Sequence, residues 1–430
     1  MTEPTENAAS NVLIDEVADW LMTAALRSTG VEALFAGCCQ RLAGAGIPVL
    51  RGHIAFRTLH PLLASVSLNW YRESGLDREG HTHGEDRTNE SWRVSPLRYM
   101  LESGTLMLRR RLTGPEAVLD FPILEKIRDK GGTDYLAWAA SFTEREEETD
   151  AAGMIASWTS DRPGGFTDND IRSLLRIQKR LAVAVKLHVG EEISRNVMST
   201  YLGADAGLRV LSGQIRRGDG EVVRAVIWYS DMRDSTGLAD RLPMAGFLAL
   251  LNSYFECAAG ALLDAGGEVL LLIGDAVLGI FPVGEDDPSA AGAAARAVAA
   301  ARDAEARIAR FNDDRRAAGE PEIDFGLGLH LGDLMFGNIG VPERLQFTAV
   351  GPAVNEVARI ESLTKRLGRR VLLGPGVAGA LDGEGEALGE WEMPGVGAPL
   401  EVFGLAEPPA NADGQSPPDE RSKSPIAQAQ

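Results

Sequence analysis

The sequence predicts two α+β domains in tandem, joined by an apolar linker, and three observations carry this. The chain has 430 residues, more than one hydrophobic core ordinarily supports, so two folded domains are expected. Each half interleaves helical apolar periodicity with short strand-like runs. Between the halves, residues 191–221 carry Val197, Tyr201, Leu202, Leu208, Val210 and Leu211 ahead of Arg216-Arg217-Gly218-Asp219-Gly220. A flexible tether would be rich in Gly and Ser and poor in apolar residues, so this segment reads as a helical, transmitting linker. The expected organisation is a domain over 10–190, the linker, a second domain over 222–405 and a tail over 406–430. The tail concentrates Pro408, Pro409, Pro417, Pro418 and Pro425 among polar residues and is expected to be disordered.

In the first domain, residues 11–42 place Leu13, Val17, Leu21 and Ala24 on one helical face, and Gly30 divides the run into a helix pair. Apolar runs at 52–59, 64–71, 134–142 and 154–159 read as strands of one sheet. After Pro163-Gly164-Gly165, a capping-type Thr167 and an acidic first turn open a long helix over 167–188, with Ile171, Leu174, Ile177, Leu181 and Val185 as its apolar stripe. His53, His60, His81, His83 and His188 show no ligand spacing beyond the weak His81-x-His83, and are assigned structural or surface roles.

Composition narrows the function. A formal charge of −19 opposes a phosphate backbone, so no nucleic-acid partner is expected. The apolar stretch 269–283 is interrupted by Gly274, Asp275 and Pro282, too short for the roughly 20 apolar residues of a spanning helix. No membrane partner is expected. The first ten residues lack the basic-then-apolar order of a secretory signal, which gives a cytoplasmic expectation. Cys38, Cys39 and Cys257 make no disulfide framework.

The second domain carries the chemistry. Residues 224–229 form a β-branched and aromatic run that ends in Ser230-Asp231-Met232-Arg233-Asp234-Ser235-Thr236. A helix is expected over about 243–264, and the backbone N–H groups of Ser235 and Thr236, between strand and helix, suit a polyphosphate. Two further apolar runs flank Gly274-Asp275, a two-residue hairpin turn that holds Asp275 at a tip. Carboxylates at neighbouring strand ends are what a pair of Mg²⁺ ions requires when it also holds phosphates. In Phe347-Thr348-Ala349-Val350-Gly351-Pro352-Ala353-Val354-Asn355-Glu356-Val357-Ala358-Arg359, Pro352 opens a helix on which Asn355 and Arg359 lie four apart on one face.

The order strand-Asp, Gly-Asp hairpin, then Phe-Thr-x-Val-Gly-x-x-Val-Asn-x-x-x-Arg is similar to the catalytic domains of class III adenylate and guanylate cyclases, over about 180 residues. The wording of 134–187 resembles GAF-like sensor modules. The resemblance implies a ferredoxin-like α+β fold for the second domain, a GAF-like α+β fold for the first, and a homodimer with each active site between two subunits. Asp231 and Asp275 would hold two Mg²⁺ or Mn²⁺ ions. From the partner, Asn355 would orient the ribose and Arg359 would stabilise charge at the α-phosphate.

The pattern departs at three places. A Lys that commonly reads adenine is Leu271 here, while its partner position, Thr348, fits; Leu271 has no hydrogen-bonding group. A basic residue expected before the Gly of the closing hairpin is Pro394, before Gly395, and Arg344 or Arg233 is expected to supply replacement charge. Asp234 stands where Gly is common. The expected activity is conversion of ATP to 3′,5′-cyclic AMP and pyrophosphate, regulated by an unidentified ligand or signal at the first domain. The alternatives are a degenerate nucleotide-binding or dimerising module, and a guanylate or mixed-specificity cyclase.

Overall fold

The computed structural model describes residues 11–27, 29–84, 88–142, 153–284, 286–287, 290–381, 385–394 and 398–405. Contacts divide the chain into two compact units that meet in sequence between Gly213 and Gln214. The tail expected over 406–430, and Gly395, lie outside the described residues.

The first unit contains α1 (Asn11–Ala25), α2 (Val31–Gly44), β1 (Val49–Arg57), β2 (Leu63–Tyr71), β3 (Gly75–Thr82), α3 (Glu90–Arg93), α4 (Pro96–Ser103), β4 (Met107–Arg111), α5 (Pro122–Asp129), β5 (Asp134–Ser141), β6 (Gly153–Ser160), α6 (Asp168–Leu202) and α7 (Ala204–Leu211). Its six strands pair in the order β3-β2-β1-β6-β5-β4, antiparallel throughout. Strand alternation sends Ile54, Leu68, Trp70, Leu136, Trp138 and Trp158 to one face, where they form a core with α1, α2 and α6. The other face packs Leu108, Tyr135, Ala137 and Ile155 against α4 and α5.

β3 and β4 escaped the sequence reading. As edge strands they carry polar or basic residues, in Gly75–Thr82 and in Met107–Arg111, so no apolar run marks them. The helix expected over 167–188 starts as foreseen: Thr167 Oγ1 accepts from Asp170 N–H, and the Asp170 carboxylate accepts from Thr167 N–H. It then runs to Leu202 and takes in Val197, Tyr201 and Leu202 of the expected linker, while Leu208, Val210 and Leu211 lie in α7. His81 meets Ser67 Oγ, and His83 meets the His60 carbonyl.

The second unit contains β7 (Gly220–Met232), α8 (Ser235–Arg241), α9 (Met244–Asp264), β8 (Glu268–Ile273), β9 (Ala276–Pro282), α10 (Ala291–Ala318), β10 (Phe325–Val341), β11 (Arg344–Val350), α11 (Pro352–Leu367), β12 (Val371–Leu373), α12 (Pro375–Gly379), β13 (Gly385–Trp391) and β14 (Leu400–Leu405). The sheet order is β13-β14-β12-β10-β7-β9-β8, with β11 also paired to β10. Chain order β7-α9-β8-β9-α10-β10 with spatial order β10-β7-β9-β8 is the ferredoxin-like arrangement. Among the described residues of this sheet, the β10–β12 pairing alone is parallel. Val226, Trp228, Met232, Phe325, Leu327 and Leu329 face α9 and α10 in the main core. The opposite face receives α11.

Among the described residues α9 is the one helix long and apolar enough to cross a membrane. The sequence reading did not single it out. Its Leu250, Tyr254, Cys257, Ala258 and Leu262 are buried in the same core.

Candidate active site

β7 positions the first carboxylate. Its sequence alternates so that Trp228 and Ser230 point into the core, where Ser230 Oγ accepts from Trp228 Nε1–H and Tyr254 O–H, each at 3.1 Å. These bonds fix the strand end, and alternation turns Tyr229 and Asp231 to the other face. The strand extends past the expected end at 229 and includes Asp231, which is paired with Gly326 of β10 on one side and Ala276 of β9 on the other.

The second carboxylate sits in the turn between β8 and β9. Gly274 takes φ 64°, the left-handed conformation for which the turn needs glycine. Asp275 follows, and its carbonyl accepts from Met232 N–H at 3.4 Å. Strand pairing of Asp231 with Ala276 sets Asp275 in the adjoining turn, beside Asp231. Burial first, then the charge of Asp275, push the Asp231 pKa up to about 6. Two acids whose charges resist coexistence are a donor set that a divalent cation satisfies. Among the described residues no group of three or more His, Cys, Asp or Glu side chains is disposed to hold a metal ion. The pair therefore leaves most coordination positions to other oxygens, as Mg²⁺ sites that bind phosphates do.

A third carboxyl, Glu361 of α11, was missed by the sequence reading. A β-carbon on Gly326 would overlap Glu361 Oε1, so the Glu361 carboxyl fills the space beside Asp231 that a cross-strand side chain would take. Burial first, then Asp231, raise its pKa to about 7, with the Arg233 charge opposing. Burial and the charges of Asp231, Glu361 and Asp275 also raise the Tyr229 pKa. The signal in the sequence was an acid in the buried stripe Val357, Ile360, Thr364 of α11.

Asn355 and Arg359 lie together on the exposed side of α11, opposite Ala353, Val357 and Ile360. Ser235 and Thr236 form the first turn of α8, after Asp234. Asp234 adopts φ 56°, which explains why glycine suits this position and why Asp is tolerated. Its carboxylate pairs with Arg241 at 2.8 Å. Leu271 is half-buried on the edge strand β8, and Thr348 is half-buried on β11, opposite Gly337.

The replacement charge expected from Arg233 is not available. Its guanidinium binds Asp324 Oδ2 and the Arg369 carbonyl, both at 2.9 Å, because Arg233 N–H also pairs with the Asp324 carbonyl and draws the side chain alongside. Arg344 is exposed at the start of β11. Pro394 is exposed beyond β13.

No protein-family model matches the chain. An adenylate cyclase of Anabaena cylindrica is 32% identical over 163 residues, covering 37% of this chain and 31% of the relative. Adenylate cyclase 1 of Rhizobium meliloti is 31% identical over 144 residues, 34% of this chain and 21% of the relative. An uncharacterized protein of Mycobacterium tuberculosis is 30% identical over 236 residues, 53% of this chain and 38% of the relative. The adenylyl cyclase CyaB of P. aeruginosa aligns in structure with TM-score 0.40 and 20% identity, over 45% of this chain and all of that chain. The chain spans about a third or less of the length of the two adenylate cyclases it matches; in sequence, the region that matches is similar to adenylate cyclases.

Proposed function

We propose that the second unit is a nucleotidyl cyclase that converts ATP to 3′,5′-cyclic AMP and pyrophosphate as a homodimer. The observation that carries the proposal is the Asp231–Asp275 carboxyl pair at adjoining strand ends, supported by sequence relatives named adenylate cyclase. Asp231 and Asp275 would hold two Mg²⁺ or Mn²⁺ ions, which when bound neutralise phosphate charge and make the ribose 3′-hydroxyl more acidic.

The chain's own residues do the rest. The first turn of α8, at Ser235 and Thr236, offers backbone N–H groups to the polyphosphate. Asn355 of the partner subunit orients the ribose, and Arg359 of the partner subunit, permanently charged, meets the negative charge that grows around the α-phosphorus. The 3′-oxygen forms its bond to that phosphorus, the bond to the pyrophosphate oxygen breaks in line, and the hydroxyl proton passes to solvent. Positioning and charge account for the rate, and no covalent enzyme intermediate arises. Thr348 is the adenine-side contact. The apolar Leu271 favours relaxed base choice, so GTP is the competing substrate. The first unit is the regulatory domain for a ligand or signal in the cytoplasm.

The test is product formation by the purified chain from ATP or GTP with Mg²⁺ or Mn²⁺, beside Asp275→Ala. Cyclic AMP made by the parent and lost in the variant supports the proposal. No cyclic nucleotide from a folded, dimeric sample in either metal would favour a degenerate, binding-only domain.

A further inference from the structure

α11 rests on β10 along a row of positions that share one face of the strand: Gly326, Gly328, His330 and Gly332. Three of the four have no side chain, and each absence is used. A β-carbon on Gly328 would lie 2.7 Å from the Val357 carbonyl oxygen and 3.0 Å from Glu361 N. One on Gly332 would overlap the Ala353 β-carbon, and one on Gly326 the Glu361 carboxyl. The helix thus lies on nearly bare backbone, which supports it but offers no side chain to fix its rotation.

His330 is the exception. Its Nε2 lies 2.8 Å from Glu356 Oε2, with both side chains largely buried. On the ring's other side, Nδ1 is buried without a hydrogen-bond partner among the described residues. It faces Gly374, where a β-carbon would overlap it. A hydrogen on Nδ1 would be a buried donor without an acceptor, so the ring is neutral and carries its hydrogen on Nε2, donating to the carboxylate. Burial lowers the His330 pKa, against the pull of Glu356.

Glu356 follows Asn355 directly and precedes Arg359 by three residues. We propose that His330 and Glu356 are positioning residues, whose hydrogen bond sets the rotation of α11 and so presents Asn355 and Arg359 together in the reacting geometry. This inference rests on the cyclase reading. A rotation of about 10° moves a side-chain end at the helix's outer radius of about 6 Å by about 1 Å. A displacement of that size costs on the order of 100-fold in rate.

The experiment measures kcat, KM for ATP and the Mn²⁺ half-saturation of the full chain, with amide hydrogen exchange across residues 352–367. Glu356→Ala and His330→Ala are expected to lower kcat on the order of 10- to 100-fold and leave the Mn²⁺ half-saturation unchanged, because the metal carboxylates lie on other elements. Glu356→Gln keeps an acceptor for Nε2–H and is expected within about threefold of the parent. Gly374→Ala touches neither substrate nor α11, yet displaces the imidazole, and is expected to reproduce His330→Ala. On the residual rate of an Arg359→Ala background Glu356→Ala should add a smaller loss than in the parent, because only Asn355 is left to misplace; an undiminished further loss would show that Glu356 acts elsewhere and overturn the proposal. Parental kcat in Glu356→Ala would overturn it too. Should the alanine variants fail to fold, Gly374→Ala and Glu356→Gln carry the comparison. If the parent makes no cyclic nucleotide, the cyclase reading has failed, and exchange decides the tie alone: faster exchange at 352–360 in His330→Ala or Gly374→Ala supports it, and parental exchange in both refutes it.

Discussion

Replacing Asp275 by Asn should stabilise the metal-free protein while abolishing its response to metal. Asp231 is raised from 3.8 to about 6, and each unit corresponds to about 1.4 kcal/mol, so a fully buried group would carry about 3 kcal/mol. Asp231 is partly exposed, and screening at least halves that figure. Burial is the larger cause and Asp275 the next, so the share that Asp275→Asn relieves is on the order of 0.5 kcal/mol. For a domain of this size that is a Tm gain of about 1–2 °C. The sign follows from the raised folded-state pKa: the folded protein holds its proton longer than the unfolded chain, so the stability present below pH 3.8 is lost as pH rises through about 6. The gain should therefore appear at pH 8 and vanish near pH 4. Added Mn²⁺ at tenfold its Kd should stabilise the parent by about 1.4 kcal/mol, or about 3–6 °C, and the variant by none of it. Thermal melts at both pH values, with and without Mn²⁺, decide the matter. A variant destabilised at pH 8 without metal, or one that keeps the Mn²⁺ shift, would refute the reasoning.

Glu361→Gln should flatten the pH dependence of metal-free stability. Glu361, raised from 4.5 to about 7, makes the parent lose stability as pH rises through that window, and a parental Tm profile in the variant would contradict this. Chains carrying Asp275→Ala and Arg359→Ala, each strongly impaired alone, should recover about a quarter of parental activity when mixed and allowed to exchange, since half the dimers hold one intact site of two. No recovery in a sample shown to contain heterodimers would count against sites shared between subunits. Asp134 is buried between Arg109 at 2.7 Å and Arg111 at 3.2 Å, and accepts from Phe166 N–H at 3.0 Å. Asp134→Ala should therefore cost about 1–3 kcal/mol, by leaving the buried Phe166 N–H unsatisfied and two partly exposed guanidiniums without their carboxylate, read as an earlier denaturant transition.

What was legible in the sequence was local. Asp231 follows an apolar run, Asp275 follows a glycine in a two-residue turn, and Asn355 and Arg359 share a helical face; each relation spans fewer than ten residues, and the structure holds all three. What depended on distant contacts was not legible. Arg233 looked free to meet phosphate, yet its partner Asp324 is 91 residues away. Glu361 read as one more helical acid, because its neighbour Asp231 belongs to another element. The edge strands β3 and β4 lacked an apolar run because solvent covers part of each. The helix expected to close the first domain continued to Leu202, since no proline intervenes, Gly190 stays helical without taking the positive φ of a cap, and the cap comes only at Gly203.

The row Gly326-x-Gly328-x-His330-x-Gly332 shows how the chain uses weak strand-formers to make a site. Each glycine inside a strand costs roughly 0.5–1 kcal/mol relative to alanine, and stability alone gives no reason to place three on one face of the central strand β10. Side chains at those positions would lift α11 off the sheet, and Glu361 could no longer stand beside Asp231. They would also draw Glu356 away from His330, and with it the register of Asn355 and Arg359. The stability forgone along β10 is thus the cost of bringing the helix that carries Asn355 and Arg359 into direct contact with the strand that neighbours the carboxyl pair. It follows that Gly328→Ala, a substitution harmless to β propensity, should damage activity more than stability, because its β-carbon meets the backbone of α11 itself, where no rotamer can relieve the overlap.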